Sequence, residues 1–184
     1  MHGAFADASS WNDVVERLQR DGYPVIAPAT PSRGLAEDST YVASVLASVK
    51  GPVILVGHSY GGAVISQAAA GDSQVKALVY IAALVPDKGE NLGALANKYP
   101  GTNELAPSLR PVPFSNSDGT GGSDLYVDPT HFRAVFAADL SASQTALMAA
   151  EQRPIAAAAF AASATAAAWH TIPSWALGPG RQAG

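Results

Sequence analysis

At 184 residues, 48% of them hydrophobic and 14% charged, the chain is long enough for one globular domain and too apolar for a disordered segment. A net charge of −4 without a basic cluster argues against nucleic acid as a partner, and the lack of cysteine excludes disulfides, thiolate nucleophiles and cysteine-held metals. The four histidines show no metal-ligand spacing, so neither a metal nor a cofactor is expected. No apolar run reaches the ~18 residues of a membrane span, and Met1-His2-Gly3 opens no secretory signal, which together predict a cytoplasmic protein.

The chain begins with His2-Gly3-Ala4-Phe5. Ser10 then caps a helix with Trp11, Val14, Val15 and Leu18 at helical spacing, Asp13 in the capping-box position and Asp21-Gly22 at its end. Residues 25–27 are expected to form a short strand behind Pro24. A Pro- and Gly-rich loop over 28–36 leads to a second helix, capped by Ser39, with Val42, Val45, Leu46 and Val49 on one face and Gly51-Pro52 as its stop.

The apolar β-branched run 53–56 reads as a buried strand. It turns through Gly57-His58-Ser59-Tyr60-Gly61 into the small-residue run 62–70, which reads as a helix. This is G-x-S-x-G in a strand–turn–helix context, the nucleophile elbow. The spacing has a steric reason: a turn sharp enough to lift a serine hydroxyl off the strand leaves no room for Cβ atoms two residues away on either side. Residues 75–82 form another apolar strand, so the alternation of strands and helices predicts a parallel sheet built from right-handed crossovers. Its ligand would sit at the C-terminal strand ends, beside Ser59.

Beyond Val85, residues 87–125 are expected to be a mobile loop, because Pro107, Pro111 and Pro113 precede a Ser-, Asn- and Gly-rich stretch, and 103–124 should be the most protease-sensitive part of the interior. Asp128-Pro129 starts a helix carrying Phe132, Val135 and Phe136. Ser141-x-x-Gln144 starts another, with Leu147 and Met148 inward. The alanine-rich run 155–168 predicts a further helix, 174–177 a returning strand, and the tail after Leu177 has no core pattern.

The N-terminal His2-Gly3-Ala4-Phe5, the segment 23–28, the elbow Gly57–Gly62, the run 75–86 and Pro173-Ser-Trp175 together resemble the α/β-hydrolase superfamily. The likeness is to its bacterial esterase-like branch, which is similar to the plant methylesterase and hydroxynitrile lyase group, and it covers nearly the whole chain. The resemblance implies a three-layer α/β-hydrolase fold with a mainly parallel sheet, a core of residues 1–86 and 170–184, and a helical cap over 87–169. It also implies a cofactor-free serine hydrolase of small, largely apolar carboxylic esters. Ser59 would be the nucleophile, the backbone N–H groups of Ala4 and Tyr60 the oxyanion hole, and His2 and His58 shaping residues rather than bases. A hydroxynitrile-lyase-like reaction at the same elbow and a catalytically dead small-molecule binding module are the alternatives.

The same resemblance places a triad acid just after the strand of Trp175 and a histidine beyond it. Here no acidic residue follows Glu151 and no histidine follows His170. Asp87, after the strand of Val79, and His131, in the cap, are the remaining candidates, against readings as a solvated turn aspartate and a surface helical histidine. His170 precedes its strand and is placed at the edge opposite Ser59. The family strand that would end in His-Gly also has only Met1 before it. The expectation from these gaps is an incomplete gene model truncated at both ends, with a marginal fold and negligible esterase turnover.

Overall fold

A computed structural model describes residues 1–98 and 105–178. Its centre is a parallel sheet in the order β1 (Val53–His58), β2 (Val75–Ile81), β6 (Ser174–Leu177), with Leu55 opposite Leu78 and Val79 opposite Trp175. Helix α3 (Tyr60–Ala68) follows β1 directly and is buried along nearly its whole length, including Ala63, Val64 and Ile65. Two glycines explain how close it lies. A Cβ at Gly57 would stand 2.7 Å from the Gly61 carbonyl oxygen, and one at Gly62 would stand 2.6 Å from Ala83 Cβ and 2.7 Å from the Leu84 oxygen. Both gaps are smaller than van der Waals contact permits, so strand, turn and returning chain pack backbone to backbone.

Helix α2 (Leu35–Ser48) lies against α3 and buries Leu35, Asp38, Ser39, Val42 and Leu46, a single face at helical spacing. It starts four residues before the expected cap. Gly34 is the N-cap, and Ser39 sits inside the helix, donating its hydroxyl to the Val64 carbonyl at 3.4 Å. At the first helix the cap is likewise shifted: Asp7 accepts from the Ser9 N–H and heads a 3₁₀ turn over Ala8–Trp11, from which α1 (Asn12–Arg20) continues. No residue of α1 is buried, although its apolar residues fall on one stripe.

The expected strand at 25–27 does not form. The segment carries no ladder, and Tyr23 and Ile26 are exposed. An extended segment becomes a strand only where a neighbour offers its backbone groups. On the outer edge of β1 that neighbour is Met1, whose nitrogen donates to the Val56 carbonyl and whose carbonyl accepts from His58 N–H at 3.0 Å. Ile54 on the same strand is 64% exposed, and every residue of β6 on the opposite edge is exposed, Trp175 and Leu177 included.

A second, antiparallel sheet occupies the stretch expected to be a mobile loop. β3 (Leu109–Ser115) and β4 (Gly121–Val127) pair from Leu109↔Val127 to Ser115↔Gly121, and β5 (Ile155–Ala156) pairs with β4. Asn116 N–H bonds to Thr120 O at 2.7 Å and closes the hairpin, while Asp118 accepts from the Thr120 N–H and hydroxyl. Residues 103 and 104 of the expected protease-sensitive stretch lie outside the described residues, as does the tail beyond Gly178. The hairpin is tied to the core through Arg33. Its Nη1 lies 2.9 Å from Asp124 Oδ1, off the line of a hydrogen bond, and its guanidinium carbon sits 5.1 Å over the Phe114 ring.

Four helices accompany this sheet among the described residues. Between β2 and β3 lies α4 (Leu92–Ala96), and after β4 comes α5 (Phe132–Phe136), with Phe132 fully buried. The helix α6 (Ala142–Glu151) carries the expected Ser141–Gln144 capping box, but Leu147 faces solvent where an inward position was expected. Of the alanine-rich run only α7 (Ala157–Ala161) is helical, because 155–156 are taken by the ladder with β4. Gly62→Val is expected to cost at least 2–3 kcal/mol by overpacking. In a thermal melt that is a fall of roughly 5–10 °C, whereas Gly178→Ala, with nothing within 4 Å of its added Cβ, should leave the midpoint unchanged.

Candidate active site

Ser59 stands between β1 and α3 with φ 51° and ψ −123°, a conformation an L-residue adopts only when its surroundings impose it. The turn is held on three sides. Ser59 N–H donates to Ile81 O at 3.3 Å, Ser59 O accepts from the Gly62 and Leu84 N–H groups at 3.0 Å each, and the glycine contacts described above close the remainder. The N-terminal segment packs against this turn. A Cβ at Gly3 would lie 2.8 Å from Ser59 Cβ and 3.0 Å from His58 Nδ1, and one at Gly61 would lie 2.6 Å from His2 O.

His2 ties that segment to the loop at 30. It is 1% exposed, its Nε2 accepts the Thr30 N–H at 3.1 Å, and its Nδ1 lies 2.8 Å from Gly3 O. An acceptor at Nε2 fixes the neutral tautomer with the proton on Nδ1. Burial pushes its pKa below the ordinary histidine value, and burial does the same to His58 beside the serine. Both geometry and charge state therefore make His2 a structural brace.

A cavity of about 590 Å³ opens at Ser59. Ala4 and Phe5 form one side of it, the latter with φ 63°, and Leu84 and Phe160 form another. Leu109 and Leu125 of the hairpin and Phe136 of α5 supply the far wall. Phe5 and Phe136 meet edge to face at 6.2 Å between ring centroids. No aspartate, glutamate or histidine lines the cavity among the described residues. Among those residues, too, neither Ala4 N–H nor Tyr60 N–H has a hydrogen-bond acceptor, which leaves two backbone donors flanking the serine.

The structure does not bring Asp87, His131 or His170 to this cavity. Asp87 and His170 meet one another instead, Nε2 to Oδ1 at 3.1 Å, both half-exposed, with the imidazole stacked on Trp169 at 3.8 Å. Trp169 Nε1 donates to Pro86 O, and Thr165 N–H bonds to Gln67 Oε1 at the end of α3 remote from Ser59. The hydrogen bond from His170 holds the Asp87 carboxyl below its ordinary range. His131 is an exposed N-cap of α5, with Thr130 Oγ1 3.3 Å from its Nδ1. No cluster of three or more histidines and carboxylates able to hold a metal exists among the described residues, and no helix among them is long and apolar enough to cross a membrane.

Sequence reasoning missed one group at the elbow. Asp38 is fully buried in α2 and its Oδ2 accepts the Tyr60 hydroxyl at 2.7 Å. The signal was present: a carboxylate three residues after Leu35 and four before Val42 falls on the buried face of its own helix.

A strained serine between a parallel strand and a buried helix, at the C-terminal edge of the sheet, defines the class of α/β hydrolases. The chain belongs to the Alpha/beta hydrolase family, whose profile matches residues 1–181. It is similar to the carbendazim hydrolyzing esterase of Nocardioides sp. (strain SG-4G), 33% identical over 111 residues, a match covering 53% of this chain. That match spans 46% of the relative, so the chain aligns with about half the length of its curated counterpart. Among solved structures, polyneuridine aldehyde esterase superimposes with a TM-score of 0.77 at 19% identity, covering 95% of this chain and 76% of that one. The pyrethroid hydrolase PytH does so with a TM-score of 0.66 at 25% identity, covering 89% of this chain and 69% of that one.

The lowered pKa of buried His2 carries a pH signature. The unfolded chain takes up a proton near pH 6.5 that the folded chain resists, so this contribution to stability is present above that pH and is lost as pH falls below it. His58 acts in the same direction. The urea midpoint is expected to drop between pH 7.5 and 5.5, and a His2→Gln variant should start lower at pH 7.5 and change less over that interval.

Proposed function

We propose that this chain carries the acylation site of a cofactor-free serine hydrolase acting on small, uncharged, largely apolar carboxylic esters. The observation that carries the reading is the strained Ser59 at the mouth of an apolar cavity, flanked by two backbone N–H groups without acceptors among the described residues. The Ser59 hydroxyl would attack the ester carbonyl, and the Ala4 and Tyr60 N–H groups would receive the oxyanion. Two such donors matter because losing one costs about 3 kcal/mol of transition-state stabilisation. Phe5, Phe136 and Phe160 would bind the apolar part of the ester, since an uncharged wall penalises a charged acyl group by its desolvation. Residues 87–169 would serve as the cap, set on a core of 1–86 and 170–184. Esterases among the relatives agree with this chemistry.

One observation favours a second reading, a binding pocket without turnover: among the described residues, the cavity presents no group able to take the serine proton. A serine without its base retains only the contributions of oxyanion hole and binding, roughly 10³–10⁴ over water. A fluorescent alkyl phosphonate and p-nitrophenyl butyrate separate the two. In the hydrolase reading the phosphonate attaches to Ser59, Ser59→Ala abolishes the label, and hydrolysis of the ester falls with it. Saturable ester binding with no label and no p-nitrophenol would instead establish the binding pocket.

A further inference from the structure

Tyr60 and Asp38 form a buried pair that the reaction as described does not use. The Tyr60 hydroxyl donates to Asp38 Oδ2 at 2.7 Å, with the tyrosine 1% and the aspartate 0% exposed. The other carboxylate oxygen accepts Arg33 N–H at 3.3 Å. Such a pair is costly to bury and gains little net stability over an apolar isostere, so its position on the molecule matters more than its energy. Here it anchors the residue that immediately follows the strained serine.

The Tyr60 N–H belongs to the peptide joining Ser59 to Tyr60, and the orientation of that peptide is the ψ of Ser59, −123°. Any relaxation of the serine toward an ordinary backbone conformation rotates this N–H. The turn is restrained before the serine by Gly57 packing and after it by Gly62 packing. Between those points the same peptide is held at its carbonyl by the Gly62 and Leu84 N–H groups, and on the Tyr60 side by the phenol ring, seated under α2 and fixed at its tip by Asp38. A charge-assisted bond of this length has a narrow geometry, and burial together with the Asp38 charge keeps the phenol proton in place far above its ordinary range.

We propose that Asp38 is a positioning residue for the oxyanion hole: its bond to the Tyr60 hydroxyl locks the Ser59–Tyr60 peptide so that the Tyr60 N–H is held ready as a donor. This rests on the Ser59 reading given above. Arg33 extends the same chain of contacts, because its N–H binds Asp38 while its guanidinium meets Asp124 on the hairpin that walls the cavity.

The test compares two ketones that differ only in whether they form a serine adduct, 4-phenyl-1,1,1-trifluorobutan-2-one and 4-phenylbutan-2-one, bound to the 184-residue chain. The Ser59 hydroxyl adds across the fluorinated carbonyl and its proton passes to water, because the trifluoromethyl group makes the hemiketal acidic; the resulting oxyanion needs the hole, and the other ketone reports the cavity alone. The parent should prefer the fluorinated ketone by about 100-fold, the scale of one oxyanion donor. Tyr60→Phe and Asp38→Asn should each cut that preference about tenfold and leave affinity for the plain ketone within about twofold. The double variant Asp38→Leu/Tyr60→Phe removes both polar partners and should regain melting temperature without regaining the preference. A parent that shows no preference and no adduct at Ser59 overturns the serine reading, and this inference with it. A parent with the full preference that both single variants retain overturns the role of Asp38 alone. Equal loss of both ketones in the variants, or a preference that returns together with stability in the double variant, assigns the pair to structure and overturns the proposal.

Discussion

The structure depends on a steric constraint, the absence of side-chain volume where β1, α3 and the chain after β2 converge. Three backbones meet around Gly57 and Gly62 at distances no Cβ could share, and that convergence forces Ser59 into a left-handed conformation. Strain of this kind, of order 1–3 kcal/mol, persists only if neighbouring packing outweighs it. The neighbours do so: α3 is almost wholly buried, and the Ser59 carbonyl is held by two amides. The parallel sheet supplies a rigid base, the helix supplies compression, and the serine hydroxyl is lifted out of the layer that holds its backbone.

The cavity is assembled from the opposite kind of structure. Its far wall comes from a hairpin and short helices with few fully buried residues, held to the core by contacts such as Arg33 with Asp124 and Phe114. The division gives the reacting serine a fixed position and the apolar wall a separate, more weakly tied support. Phe132 is among the exceptions, with Leu92 and Val127: it is fully buried and holds Phe136 at 4.8 Å between centroids, which steadies one aromatic face of the cavity.

What could be read from residues alone followed the range of the forces involved. The elbow was legible because its glycines must sit at fixed offsets from the serine, and the Ser141–Gln144 box because both partners lie within one turn. The strand at 25–27 was misread because a β propensity says nothing of whether a partner edge is present. The hairpin was misread because Pro111 and Pro113 suggest a loop. They fall two apart on β3, an edge strand of its sheet, where a proline's missing N–H can face away from the ladder. Asp118-Gly119, with Gly119 at φ 85°, was the turn signal that composition obscured. Asp38 and its partner are 22 residues apart, so only the helix period hinted that the carboxylate was buried.

The bare margins of the parallel sheet also bear on how this protein behaves in quantity. Among the described residues, β1 meets Met1 at its C-terminal end on one margin, and on the other β6 exposes Trp175 and Leu177, with neither lysine nor proline among its four residues. Unguarded strand edges are templates for intermolecular pairing, and a net charge of −4 over 184 residues gives little repulsion to keep copies apart. The parallel sheet that makes the serine turn possible thus also presents, among the described residues, strand edges open to a second copy. Edge-to-edge accretion in crowded or concentrated solution would consume the folded protein without any prior unfolding.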